Sequence, residues 1–278
     1  MNGRMHTRSD TAVIVFAKAP VAGQAKTRLI PALGAEGAAA LAARLLDHTM
    51  QQAAEAGLGA IELCVAPDAT HPLLQAAAAR HGAVLSVQGE GDLGARMQRA
   101  LSRRLAGHAR VLLIGTDAPS LDAGVLQAAA QALAAHDAVF VPALDGGYAL
   151  VGLARLGQRR AAGAGPSTGS GRTEGGGPST GSGRTGGTWA DLGERPPFGL
   201  SPSTELRTGL SKPPSPADAA PARLFEAIEW STATVLARTL ERAAELGLHV
   251  ALLPALPDID EPADLAHLPP TWPEARPA

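Results

Sequence analysis

The sequence predicts an α/β fold built on a mainly parallel sheet flanked by helices, and two patterns predict it. Seven short runs read as strands, at 12–17, 60–66, 83–87, 110–114, 138–143, 149–153 and 249–253. Several are apolar almost throughout, as strands covered on both faces are. Helical stripes alternate with them: Leu93, Met97, Leu101 and Leu105 recur every fourth residue, and Leu41, Leu45 and Met50 mark a second apolar face. Such alternation implies right-handed crossovers between parallel neighbours. Thr70, Ser120 and Ser231 are placed to cap helix N-termini, and Gly82 and Gly247 to end helices.

In chain order, the first strand is also the most informative. Its apolar run empties into a loop with Lys18, Lys26 and Arg28 and the small residues Ala17, Ala19, Ala22 and Gly23. Ligands of open α/β sheets bind outside the carboxyl ends of strands, so three cations there point to an anion, with room for close backbone approach. The loop is not a P-loop, because Ala25 and not glycine precedes Lys26-Thr27 and Pro31 interrupts soon after. A solvated basic surface is its plain alternative.

The third strand leads into Gln88-Gly-Glu-Gly91-Asp92-Leu-Gly94, a glycine-rich entry to a helix where a base or ribose could be read. The fourth ends in Ile114-Gly-Thr-Asp117-Ala-Pro-Ser120, which sets Asp117 at the carboxyl edge as a ligand for a hard divalent cation; helix capping is its alternative role. Asp145-Gly146-Gly147-Tyr148 reads equally as a site loop or a hairpin turn. Near the C-terminus, Asp258 and Asp260 alternate in strand register and offer further metal carboxylates. Asp260 is also well placed as an N-cap, and Asp264 near a helix's positive end.

Composition excludes several classes. With 278 residues and 45% hydrophobic content the chain can bury a substantial core, and length allows one or two domains. A net charge of −2 leaves no basic excess for nucleic acid. The single cysteine, Cys64, forbids an intrachain disulfide, reads as a buried apolar side chain and fits a reducing cytoplasm. Residues 1–10 lack a signal-peptide pattern, and no run of about 18 apolar residues is seen, so neither export nor membrane spanning is expected. Residues 163–220 stand apart, with 14 of the 32 glycines, 8 of the 22 prolines and the nonapeptide Gly-Pro-Ser-Thr-Gly-Ser-Gly-Arg-Thr at 165–173 and 177–185. This segment reads as a disordered low-complexity insertion that splits one domain into 11–162 and 221–268.

Together, Phe16-Ala-Lys-Ala-Pro20, Lys26-Thr27-Arg28, Gly89–Gly94, Ile114–Asp117, Asp145–Tyr148, Trp230-Ser231-Thr232 and Asp258–Pro262 carry a resemblance over residues 12–268. They resemble a bacterial GT-A-type transferase family labelled arsenosugar-biosynthesis glycosyltransferase, also described as associated with radical-SAM and selenoprotein genes. The family is related to phospholactate guanylyltransferases and molybdenum-cofactor nucleotidyltransferases. The resemblance implies a nucleotide-diphospho-sugar transferase fold, nucleotide phosphates on Lys18, Lys26 and Arg28, and a divalent ion, Mg²⁺ or Mn²⁺, on Asp117. Under it, Asp117, Lys26 and Arg28 are the catalytic candidates. Ala17, Lys18, Ala19, Lys26, Thr27, Arg28, Gln88, Gly91, Asp92 and Gly94 are candidates for the nucleotide. Asp145, Gly146, Gly147, Trp230, Ser231 and Thr232 are candidates for the second substrate, and Asp117, Asp258 and Asp260 for the metal. The chain departs from the family in having Ala233 where proline is expected, and in carrying 163–220 where the family has a short link.

The expected function is a metal-dependent glycosyltransferase using a nucleotide-sugar donor on a small-molecule acceptor. A guanylyltransferase-like nucleotidyltransferase, joining a nucleoside triphosphate to a phosphorylated small molecule, is the alternative. A non-catalytic nucleotide-binding protein is the third reading.

Overall fold

The structure is a computed structural model that describes residues 10–155 and 223–272. The proposed insertion at 163–220 lies outside the described residues. All seven expected strands form, as β1 (Thr11–Lys18), β2 (Ile61–Ala66), β3 (Val84–Val87), β4 (Arg110–Ile114), β5 (Ala138–Pro142), β6 (Tyr148–Ala154) and β7 (Val250–Leu252). They make one sheet in the order β3-β2-β1-β4-β6-β5-β7. Every pairing is parallel except those of β6, which runs antiparallel to both β4 and β5. The sheet is thus mainly parallel, with one reversed strand.

Two-residue alternation along the strands builds two cores. On one face Val13, Val15, Leu63, Val65, Leu112 and Ile114 pack with α1 (Ile30–Glu55), α2 (Pro72–Arg80) and α4 (Ala123–Ala132). On the other, Ile14, Phe16, Cys64, Leu113 and Phe140 pack with α3 (Leu93–Leu105), α5 (Val235–Glu245) and the segment at Leu224 and Phe225. Along α3, Met97 and Leu101 are buried as the stripe predicts, whereas Leu93 is exposed. A third, smaller core joins Leu29, Leu41 and Leu45 to Ile259, Leu265, Leu268 and Trp272, and so ties the C-terminal loop to α1.

Contrary to the expectation from apolar runs, the stretch 27–55 is long and apolar enough by length and composition to cross a membrane. Its alanine content produces this. In the structure Leu41, Leu45, Leu46, Met50 and Ala53 face protein, as a core helix of an α/β fold does.

The helix caps differ from expectation. His71, Asp122 and Thr234 occupy the N-cap positions assigned to Thr70, Ser120 and Ser231. A turn from Leu121 N to Ala118 O (3.0 Å) intervenes after Pro119, so α4 begins one turn later, with the Asp122 carboxylate accepting from Val125 N at 2.9 Å. Thr70 instead donates to Asp68, and Ser231 has a positive φ of 63°. Gly82 and Gly247 do end their helices, at φ of 60° and 68°.

Candidate functional site

The six co-directional strands end at one edge of the sheet, and β6 begins there. The loops at this edge carry the candidate residues. After β1, whose last residue Lys18 is exposed, the chain turns back so that Lys26 sits in the left-handed region, at φ 48° and ψ 46°. For a residue other than glycine that conformation costs about 1–2 kcal/mol. It aims the lysine across the edge. Lys26 Nζ donates to Ile259 O at 2.6 Å, forms an ion pair with Asp117, and lies 3.8 Å from Asp260 Oδ1. The lysine side chain is 8% exposed, while Asp117 remains 54% exposed to a ligand. Arg28 Nη1 donates to Asp260 Oδ2 at 2.6 Å and reaches Glu261 at 4.0 Å. Ala17 is buried at the end of β1, Ala19 N donates to Ala66 O, and Thr27 opens a short 3-10 turn, Thr27–Leu29, with its side chain exposed.

Asp117 is fixed from behind. Its carbonyl accepts from Ile259 N at 2.8 Å, and the neighbouring Pro119 carbonyl accepts from His48 Nε2 at 2.9 Å. His48 in turn stacks edge-on against Trp272 at 5.3 Å. Ile259 enters the core between the two aspartates, so Asp258 and Asp260 project from a seated loop. Asp260 is not the N-cap of the following turn, Pro262–His267. Glu261 is, within a reciprocal capping box in which Asp264 Oδ2 accepts from Glu261 N at 2.7 Å and also from Asp260 N at 3.0 Å. Asp264 accordingly sits in the first turn, as expected.

Asp145 reaches the same place through the β5–β6 hairpin. The parallel bridge Ala143–Leu256 brings Asp145 and Asp258, each two residues further on, side by side. Burial raises the Asp258 carboxyl above the usual aspartate range, and repulsion from Asp145, Asp264 and Asp117 adds to it. Carboxylates that repel one another in this way form an all-oxygen donor set suited to a hard divalent cation. Asp258 and the half-exposed Asp117, whose Oδ1 is held by Lys26, fit that role, whereas both oxygens of Asp260 face cations, Oδ2 Arg28 and Oδ1 Lys26. Among the described residues no three acidic, histidine or cysteine side chains form a ready cage. A hard cation here would therefore need further oxygens from a phosphate or water.

The loop after β3 is internally braced. Gln88 is buried and its side-chain amide donates to Ala17 O and Cys64 O at 3.3 and 3.2 Å, so it spans β1 and β2. Asp92 caps α3 by accepting from Ala95 N at 2.8 Å. Gly91, at φ 99°, offers its carbonyl to Arg96 Nε, and Arg99 donates to the carbonyls of Gln88 and Glu90. Sequence reading missed the two arginines, whose three-residue spacing on α3 puts both over this loop. At Gly94 a Cβ would meet Phe225 O and the Trp230 ring at 2.9 Å, so this glycine serves close helix packing.

The Asp145 loop is a genuine hairpin turn, with Ala143 N donating to Gly147 O at 3.0 Å and Gly147 N to Asp145 Oδ1 at 2.8 Å. Gly146, at φ 92°, lies hard against Ala233, and its carbonyl accepts from Leu236 N at 2.9 Å. The hairpin is thereby joined to the segment after Trp230. In that segment Thr232 Oγ1 donates to Glu229 O, and Trp230 packs tilted on Phe225. The structure thus unites Lys26, Arg28, Asp117, Asp145, Asp258 and Asp260 at one edge. It gives Gln88, Asp92, Gly94 and Gly146 internal partners.

A family described as "Uncharacterized protein conserved in bacteria" (DUF2064) matches residues 49–163. No curated protein matches the sequence. Among solved structures, one from Desulfovibrio desulfuricans G20, provisionally described as a nucleotide-diphospho-sugar transferase, is similar at 24% identity. That match has a TM-score of 0.65 and covers 95% of this chain and 88% of that one. The fold is therefore shared with that protein. The inositol-1-phosphate CTP transferase of T. maritima matches at 12% identity and TM-score 0.43, over 95% of this chain and 94% of its own. A CMP:2-keto-3-deoxy-manno-octonic acid synthetase complexed with CTP matches at 10% identity and TM-score 0.44, over 92% and 95%.

Proposed function

We propose that this chain is a metal-dependent transferase that binds a nucleotide donor at the carboxyl edge of the sheet, acting first as a glycosyltransferase on a small-molecule acceptor. One observation carries the reading: the cations of the first loop and the carboxylates of three distant loops meet at that edge, anchored by Ile259 and by a strained Lys26 backbone. A surface loop of solvated charges would have no reason to adopt a left-handed lysine or to bury its ammonium.

The residues then divide the work. Asp117 and Asp258 would hold Mg²⁺ or Mn²⁺, which when bound supplies electrostatic stabilisation of developing phosphate charge. Lys18, Lys26 and Arg28 face the phosphates and offset their charge. The braced loop 88–92 shapes the side on which a base or ribose would lie. Asp145, Gly146, Gly147, Trp230, Ser231 and Thr232 border the acceptor side.

The first-loop cations also support a triphosphate donor, and so a nucleotidyltransferase in which a phosphate of the second substrate attacks the α-phosphorus and pyrophosphate leaves. The narrower arsenosugar-biosynthesis assignment is supported by the motif resemblance, and a cytoplasmic setting by composition. Asp117→Asn should leave the fold intact and abolish Mg²⁺-dependent nucleotide binding. Calorimetry with nucleoside triphosphates and nucleotide sugars checks this, and undiminished binding would remove Asp117 from the site. Product formation from any donor separates both transferase readings from a non-catalytic binder.

A further inference from the structure

The position of Lys26 raises a question that the transferase reading leaves open. A lysine meant for phosphate should be free to meet it, yet this ammonium is almost wholly withdrawn from solvent and committed to protein oxygens. It is paired with Asp117, donates to Ile259 O at 2.6 Å, and has Asp260 Oδ1 at 3.8 Å. Those partners are a carboxylate, a carbonyl and a second carboxylate, all oxygen donors of the kind a divalent cation selects. The ammonium therefore occupies a cation's place. Two features hold it there. The left-handed backbone at residue 26 points the side chain across the edge, and the backbone bond from Ile259 N to Asp117 O at 2.8 Å keeps the carbonyl and the carboxylate at a fixed separation.

We propose that Lys26 is the built-in counter-ion of Asp117, and that an entering divalent cation takes its place on that carboxylate and frees the ammonium for the nucleotide's phosphates. This rests on the transferase reading and adds an order to it: the cation and the ammonium compete for Asp117 Oδ1. Arg28, already paired with Asp260, keeps that carboxylate neutralised in either state. Exchange of this kind couples cation entry to delivery of a phosphate-binding charge.

The test is Mn²⁺ binding to the full chain without nucleotide, followed by electron paramagnetic resonance, in the parent and in Lys26→Met. Removing a competitor should tighten Mn²⁺ binding about tenfold or more, the range expected for loss of one charge-assisted contact. The gain should vanish in the Lys26→Met, Asp117→Asn double variant. Equal or weaker Mn²⁺ binding by Lys26→Met overturns the proposal, because a lysine that merely supports the site would weaken it when removed. A second measurement needs no variant. Acylation of Lys26 in the parent, followed by peptide mass spectrometry, should accelerate several-fold as Mn²⁺ is added, and a rate unaffected across the titration also overturns the proposal. If the parent binds nucleotide with Mn²⁺ through Asp117 while Lys26→Met gains nothing, the exchange fails and the transferase reading stands. If the parent responds to neither Mn²⁺ nor nucleotide, the transferase reading fails and takes the exchange with it.

Discussion

Charged side chains in this protein are seated by partners far away in sequence, and their contributions follow from how much solvent each retains. Glu62 is 1% exposed within β2 and is held by Ser86, Arg103 and Arg104. Burial alone would raise its carboxyl, but the hydrogen bonds from Ser86 and the two arginines outweigh burial and lower it below 4.5. A lowered folded value means that the stabilisation is present above pH 4.5 and is lost as pH falls through the folded value. Glu62→Gln should cost about 2–3 kcal/mol near neutral pH, below the usual cost of breaking a fully buried pair because Arg103 is 40% exposed. Urea denaturation at pH 7 and again below pH 4.5 would check this, with the difference between the proteins shrinking at the lower pH. At the candidate site, Arg28→Ala and Lys26→Ala should each weaken nucleotide affinity by about 1.5–3 kcal/mol, measured by calorimetry in Mg²⁺. Unchanged affinity would return the first loop to an ordinary surface.

Elements meet at glycines whose missing Cβ decides how closely they approach. Gly82 and Gly146 both have positive φ, but their surroundings differ: nothing lies within 4 Å of a Cβ at Gly82, whereas at Gly146 it would collide with the Ala233 backbone. Gly82→Ala should therefore carry only the conformational cost, about 1 kcal/mol. Gly146→Ala adds overpacking and should cost about 2–4 kcal/mol in total, while pushing the Trp230–Leu236 segment away from the hairpin. Equal midpoints for the two variants in denaturant would show that the hairpin and that segment do not support each other.

At the scale of the whole chain, the seven described strands come from both sides of residues 163–220 and form one sheet. Composition predicts that this segment orders little, and loop-closure entropy grows only with the logarithm of length, so its presence should cost about 2–3 kcal/mol. Excising it and joining the flanks by a short linker should give a protein at least as stable as the parent, with nucleotide binding retained. Trypsin should cut the parent first at Arg172, Arg184 or Arg207. Digestion of the sheet before these sites, or unfolding on excision, would make the segment part of the fold.

Much of the architecture was legible in the residues, because strand burial is written as continuous apolar runs and each of the seven runs is a strand. Cys64 was legible as core for the same reason, and Asp117 as an edge residue because it follows the apolar run 111–114 of β4. The reversal of β6 was not legible: Gly152 and its neighbours are apolar on both sides in either direction, and only pairing decides which way a buried strand runs. Helix caps were also misplaced, since Ser120 and Asp122 are equally good acceptors in sequence and the turn after Pro119 chooses between them. The sequence alone determined which chemical groups lie at strand ends. Only the tertiary structure decided that Lys26 meets Asp117, that Arg28 claims Asp260, and that Gln88 and Gly94 turn inward, because those pairings join residues tens to hundreds of positions apart, and only packing of Ile259 and Phe225 into shared cores brings them within reach.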